Sequence, residues 1–387
     1  MAKKKLIVVW PYRFRDFDWQ RFELEQLSQH VEVHVHELID ALTPEFAAAY
    51  ANQSERPEVK RFSSLKDWHR EFKKISKGSV IFTHVRPINL QSALICLKIR
   101  LSGSKVVGFS TGGVPFSDFR LSPDKREFPA KMKRVFHFVR RNFLMPLMPG
   151  RVLVGGSEEV ARVSRDYPRS TLPVLANSSD YSTCLRLDDS GSESQNSVIY
   201  LDTGFPGFPR DEVIEKIVEQ VSGADWYPKL GSFFDFVESV LATKVNVAIH
   251  PKHVGRDHQP MFGTRSTIGG QTPELVSKCS LVIATNSTSI SYAVAFEKPL
   301  ILVTSDQIQN GRDQYKASLI ANIAKETGAK IFSIDREYTE KELRDALVID
   351  HAKRESYKRK YLTSRTDDKP NYQVLLDEVI SAVDQRR

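Results

Sequence analysis

His250, Pro251 and Lys252 follow the apolar run Val245–Ile249, so an imidazole stands where a strand would leave its sheet. A histidine there can donate to a phosphate oxygen, while the proline fixes the departing backbone; capping the strand end against backbone would use the same residue. Further on, Thr285, Asn286, Ser287, Thr288 and Ser289 separate the apolar run Leu281–Ala284 from a helical pattern, Ser289–Phe296. One such side chain suffices to cap a helix. A longer run of small polar residues suits an anion held by backbone N–H groups at the positive end of the helix dipole. Between these segments, Thr272 reads as an N-cap with Pro273 at the first helical position. Neighbouring strand ends could bring His250, Thr272 and the Ser287 turn onto one monophosphate or diphosphate.

A second chemical loop lies near the N-terminus. Tyr12, Arg13, Arg15, Asp16 and Asp18 follow the apolar run Lys5–Trp10 and are interleaved with Phe14 and Phe17. Aromatic faces and charged groups together suit sugar binding, with Asp16 or Asp18 available as a general base; a solvated loop with local Arg–Asp pairs has the same composition. Gly112 and Gly113 follow Lys105–Ser110, where bare backbone could approach a ligand closely. Neither GxGxxG nor a GKS or GKT phosphate loop is present, which removes support for NAD binding and ATP hydrolysis. His250, His253 and His258 crowd one segment, but their spacing fits no HExxH pattern and their neighbours are basic, so no metal is expected.

The elements that must position these loops alternate between short apolar runs and longer amphipathic ones. Expected strands are Lys5–Trp10, Val31–His36, Ser79–Thr83, Lys105–Ser110 and Arg151–Gly155, with helices at Trp19–Gln29, Leu65–Lys77 and Leu90–Leu101. A second series has strands at Ser197–Leu201, Val245–Ile249, Leu281–Ala284, Leu300–Val303 and Lys330–Phe332. Its helices are expected at Arg210–Val221, Phe233–Ala242, Pro273–Lys278, Ser289–Phe296 and Tyr315–Thr327, with a last one at Tyr372–Gln385. Unbroken apolar strands joined by helices predict parallel sheets covered on both faces. The fold class is therefore α/β, with two Rossmann-like halves facing across a cleft and the polar segment Asp188–Asn196 as a loop or linker.

Composition narrows the function. The 387 residues suit two domains, and 41% hydrophobic with 27% charged residues is ordinary for a folded chain. A net charge of +8 favours phosphates or an anionic membrane surface. No zinc-finger spacing, aromatic RNA-binding motif or long basic tract is present, so a nucleic-acid partner is not expected. Cys96, Cys184 and Cys279 are far apart, without CxxC, which argues against disulfides or structural zinc. The run LIVVW is too short for a signal-peptide core and no stretch is long enough to span a membrane, so a cytoplasmic place is expected, extending to the inner face of the membrane. Residues 131–148 mix basic and apolar side chains, as a helix lying on an anionic membrane would, and as a core-packed helix with a solvated basic face would too.

The segments IHPKH, SLVIATNSTSISYAVAF and EKPLILVTSD, within His250–Asp306, resemble the C-terminal domain of bacterial GT-B transferases that use CMP-activated acidic sugars, the sialyl- and Kdo-transferases. They also resemble O-antigen and other surface-polysaccharide proteins, including glycerophosphate polymerases of teichoic-acid synthesis. The resemblance implies a metal-independent glycosyltransferase without a cofactor, passing a Kdo- or sialic-acid-like sugar from a CMP donor to a glycan or lipid-linked glycan acceptor. It implies that His250 and the hydroxyls of Ser287, Thr288 and Ser289 hold the donor phosphate. Its domains would be 1–178 with 370–387 for the acceptor, and 179–369 for the donor. The acidic tripeptide that bears the catalytic base in those sialyltransferases has no counterpart at a matching place; Asp202, in Leu201–Gly204, ends a strand of the second half instead. A CDP-alcohol phosphotransferase and a non-catalytic sugar- or nucleotide-binding subunit are the alternatives.

Overall fold

The computed structural model describes residues 3–47, 54–110, 114–115, 143–187, 196–206, 221–250, 258–311 and 314–384. Gly112, Gly113, Pro251, Lys252, residues 131–142 of the basic stretch, 188–195 of the polar segment and 210–220 of an expected helix lie outside them. The chain divides into two units, exchanging between Ser182 and Thr183 and again between Leu362 and Thr363.

In the first unit, the hexamer KLIVVW forms β1 (Lys5–Trp10), with every side chain but Lys5 buried. It is joined by β2 (Glu32–Glu37), β3 (Val59–Arg61), β4 (Val80–Thr83), β5 (Lys105–Phe109), β6 (Arg151–Val154) and β7 (Leu172–Leu175). The described strands form one sheet in the order β3-β2-β1-β4-β5-β6-β7, parallel throughout. The twofold alternation of strand side chains explains the unbroken apolar runs. Leu6, Val8 and Trp10 pack with Trp19, Phe22 and Leu27 on one face, while Ile7 and Val9 pack with Trp68, Phe72, Ile95 and Ile99 on the other. The expected single helix Trp19–Gln29 is instead two, Asp16–Arg21 and Leu24–His30, because Glu23 adopts φ +55° between them.

That break serves the packing of the chain's last helix. Glu23 is fully buried, and its carboxylate accepts the Tyr372 N–H at 2.8 Å and the Ser182 hydroxyl. The Ser182 oxygen accepts the Asn371 N–H at 2.7 Å, and the Asn371 side chain bonds both backbone groups of Asn177 at 2.8 and 2.9 Å. Buried backbone donors need such partners. They anchor the C-terminal helix, Asn371–Asp384, whose Val374, Leu375 and Val379 complete the apolar layer over β1. Lys105 and Arg151 add ion pairs to Glu378 at 2.7 and 3.2 Å. The last helix thus belongs to the first unit.

The second unit carries β8 (Val198–Leu201), β9 (Val245–Ile249), β10 (Thr267–Gly269), β11 (Leu281–Ala284), β12 (Leu300–Thr304) and β13 (Lys330–Ser333). Their order is β10-β9-β8-β11-β12-β13, again parallel. β8, β11 and β12 are buried along their whole length. The helix expected at Phe233 begins earlier, at Gly223, capped by Ser222 and accommodating Pro228. Three short strands, β3, β7 and β10, were not expected from the sequence: none is buried, so their residues carry no apolar signature.

Candidate functional site in the second unit and its counterpart in the first

From β8 the second unit winds outward through β9 to β10, then returns to place β11 on the other flank of β8. The order reverses between β8 and β11, and loops at the carboxyl ends of strands beside such a reversal are where open α/β sheets bind ligands. Asp202, the first residue after β8, is 4% exposed. One carboxylate oxygen accepts the Gly204 N–H at 2.9 Å, closing a turn in which Gly204 takes φ +73°. The other accepts the His250 backbone N–H at 3.0 Å, tying the end of β9 to the end of β8. His250 itself is half-buried. Asp202 therefore acts as a clamp that ties the backbone of His250 to the turn after β8. The sequence signal was an acid immediately after an apolar strand; what it lacked was the neighbour across the sheet.

The turn after β11 is joined to the same loop. Thr203 and Thr285 place their hydroxyls 3.3 Å apart, and Thr285 is 1% exposed. Within the turn, the Ser287 hydroxyl oxygen accepts the Ser289 N–H at 3.2 Å. Ser289 is the N-cap of the helix Ile290–Ala295, with no hydrogen bond from its own side chain to that helix. So two of the five small polar residues hold the turn in shape. Asn286, Thr288 and Ser289 stay partly or fully exposed, and their side chains make no hydrogen bond to another described residue. These are the groups the geometry leaves open to an anion.

Thr272 is placed differently from the expectation. The cap position is Gln271, Thr272 is the first residue of the helix Thr272–Lys278, and no side chain caps it. Its loop follows β10, three strand positions from β11, or about 14 Å at the usual spacing. His250, only two positions from β11, lies nearer the turn. The structure brings together His250, Asp202, Thr203 and the 285–289 turn, and leaves Thr272 at the sheet edge.

The first unit repeats the arrangement. Its strand order reverses between β1 and β4, and the loop after β1 is the one with the charged and aromatic residues. Arg13 is 8% exposed and pairs with Glu37 at 2.5 Å, with Asp40 at 3.2 Å and with the Ala47 carbonyl at 3.2 Å. Burial pushes Glu37 up, opposed by the Phe14 N–H and by Arg13 and Arg61. Asp18, 2% exposed, accepts the Arg15 backbone N–H at 3.0 Å and its Nε at 3.3 Å. Arg13 and Asp18, expected to bind sugar and to abstract a proton, are thus engaged in holding the loop itself. Asp16 lies outside the core, bonded to Ser54 at 2.7 Å and Arg56 at 3.3 Å, and Tyr12 is 44% exposed.

A residue missed in the sequence completes this end. His84 follows β4, its ring 5.6 Å from Trp10 and 6.5 Å from Tyr12. Its pKa is lowered to about 4, first by burial and then by Arg86, Arg21 and Arg162, against a hydrogen bond to the Phe109 backbone. The ring is neutral at neutral pH, and burial beside three arginines makes it a weak proton acceptor there. Beside it, after β5, the buried Ser110 hydroxyl bonds Glu159 and Arg162, which pair with each other at 2.5 Å. His84 stood in THVRP, with no spacing to mark it; only the adjacency of β1, β4 and β5 does so. Among the described residues no cluster of His, Cys, Asp or Glu could hold a metal ion, and no helix is long and apolar enough to cross a membrane.

No protein-family profile matches the chain, and no curated protein matches it in sequence. Solved structures do match in fold. A variant of the wall teichoic acid polymerase TagF is 11% identical, with TM-score 0.54, covering 99% of this chain and 90% of that one. The same polymerase soaked with CDPG gives TM-score 0.54 at 10% identity, covering 99% and 89%. UDP-GlcNAc 2-epimerase from Methanocaldococcus jannaschii is 11% identical, with TM-score 0.51, covering 97% and 99%. At such identity the likeness speaks for architecture alone, and on that ground the chain has the GT-B fold, two Rossmann-like parallel-sheet domains with the final helix returned to the first.

Proposed function

We propose that this protein is a metal-independent glycosyltransferase whose second unit binds a CMP-activated sugar. The observation that carries the reading is the clamp at the β8–β11 reversal, where Asp202 fixes His250 beside a turn with open Asn286, Thr288 and Ser289. Backbone N–H groups and hydroxyls fixed before the reaction stabilise charge that develops on a leaving phosphate. Similarity in fold to enzymes named for UDP-GlcNAc and for wall teichoic acid supports a nucleotide-activated donor. An acidic donor sugar is consistent with the HP and Ser/Thr pattern and with the net charge of +8.

In this reading an acceptor hydroxyl oxygen, on a glycan or lipid-linked glycan, forms a bond to the anomeric carbon. The bond from that carbon to the CMP phosphate oxygen breaks, CMP carries away the electron pair, and the hydroxyl proton passes to a general base. Of the two carboxylates in the loop after β1, Asp16 lies outside the core and remains a candidate for such a base, whereas buried Asp18 is held by Arg15. A cytoplasmic reaction, at or near the inner face of the membrane, accords with these substrates. A second reading is favoured by the polymerase soaked with CDPG: transfer of a phosphoryl alcohol from a CDP-alcohol, using the same site.

The test is a thermal-shift screen of CMP, CDP, UDP, GDP and ADP against wild type and His250→Ala. Stabilisation by cytidine nucleotides that weakens in the variant supports the site. Product analysis then separates the readings: a sugar transferred alone supports the glycosyltransferase, and a phosphoryl alcohol supports the second. Preference for UDP, GDP or ADP overturns the cytidine donor. No response to any nucleotide overturns both enzymes in favour of a binding subunit.

A further inference from the structure

The helix Leu90–Leu101, LQSALICLKIRL, is apolar on two faces. Its inner face, Ile95, Cys96 and Ile99, packs on the first unit's core with Trp68, Phe72 and Ile81. Its outer face carries Leu90, Leu94, Leu97 and Leu101, which are 77%, 42%, 39% and 75% exposed, and Ile88 just before it is 82% exposed. At about 100° per residue these four leucines fall within about 60° of one another and run about 16 Å along the helix. Scattered exposed leucines need no explanation, but a contiguous stripe marks a contact surface.

The charges around the stripe say what it would contact. Lys98 and Arg100 sit on opposite sides of it, each about 80° from its centre by the same geometry. The helix holds no carboxylate. On the neighbouring helix, Leu65–Ile75, Lys73 lies close enough to His69 that it and Lys98 together add to the desolvation that depresses the imidazole. A second copy on this face would oppose Lys98 and Arg100 to their own like. An apolar strip between cations, with no acid among its own residues, instead complements a bilayer: acyl chains for the leucines, anionic headgroups for the basic pair.

We infer that the outer face of this helix, formed by Ile88, Leu90, Leu94, Leu97 and Leu101 with Lys98 and Arg100, docks the first unit on an anionic lipid surface. The helix begins just after His84, so this face starts at the carboxyl edge of the sheet, beside the residues placed on the acceptor side. The inference concerns a surface of the first unit and does not depend on which nucleotide the second unit binds.

The experiment is co-sedimentation of the full chain with vesicles of phosphatidylcholine, with or without phosphatidylglycerol. Wild type is expected to partition at least about tenfold more strongly when phosphatidylglycerol is present. L94S/L97S and K98E/R100E are each expected to lose about tenfold of that binding, while keeping the melting temperature and the nucleotide response of wild type. The inference is overturned if wild type stays in the supernatant with both vesicles, or if L94S/L97S sediments like wild type. It is also overturned if light scattering shows a dimer that this variant dissociates, because the occupant is then a second copy. A large drop in melting temperature in L94S/L97S overturns it too, since the face would then be packed within the chain. A missing nucleotide response with vesicle binding intact would count against the donor reading alone.

Discussion

Replacing Asp202 tests whether the second unit's site is assembled by that one carboxylate. Asp202 is 4% exposed and accepts two backbone N–H groups, from Gly204 at 2.9 Å and from His250 at 3.0 Å. A hydrogen bond to a charged acceptor contributes about 1.5–3 kcal/mol net, and an orphaned buried donor costs about 1–3 kcal/mol. Asp202→Asn keeps the shape but retains one acceptor and turns an N–H donor toward the other N–H, for an expected cost of about 2–4 kcal/mol. Asp202→Ala orphans both donors and should cost about 3–5 kcal/mol. Scanning calorimetry suits a chain of two units, which need not unfold together. At about 2–4 °C per kcal/mol for a unit of this size, Asp202→Asn should lower one transition by roughly 4–16 °C and leave the other in place. Cytidine-nucleotide affinity should fall by about tenfold or more as His250 loses its backbone anchor. A shift under about 2 °C, or equal shifts in both transitions, would refute the clamp.

Three other outcomes follow from the first unit. Burial holds His36 and His84 at about 4, below their usual 6.5, so the folded chain keeps them neutral while the unfolded chain takes up protons. Stability is then fully present above pH 6.5 and is lost as pH falls toward 4, by about 2 kcal/mol per histidine on reaching about pH 5; urea melts across that window check it, and a flat profile contradicts it. Arg13→Ala takes from buried Glu37 its closest cation, leaving it the Phe14 N–H and Arg61, and should cost about 3 kcal/mol, read from the same melts. Glu23→Ala removes the acceptor of the Tyr372 N–H and the Ser182 hydroxyl, and should raise amide exchange in Asn371–Asp384 before any other helix.

The apolar runs decided much on their own. KLIVVW, VNVAI and LVIA read as strands because a strand covered on both faces needs no polar alternation, and the helices between them made the sheets parallel. The polar turn Thr285–Ser289 was legible for a similar reason: more small polar residues stand there than a cap requires. The edge strands β3, β7 and β10 were not legible, since each is partly exposed and lacks that signature.

What only tertiary structure decided was partnership. Arg13 and Asp18 have the composition of a binding loop, but Glu37 and the Arg15 backbone claim them, and Glu37 lies a full strand away in sequence. His84 and Asp202 look ordinary along the chain and gain meaning only because β4 lies against β1, and β9 against β8. Local sequence fixes which backbone a segment can adopt, because sterics and burial pattern act over a few residues. Which charge meets which donor depends on strands brought together from far apart, and that pairing is set by the packing of the whole sheet.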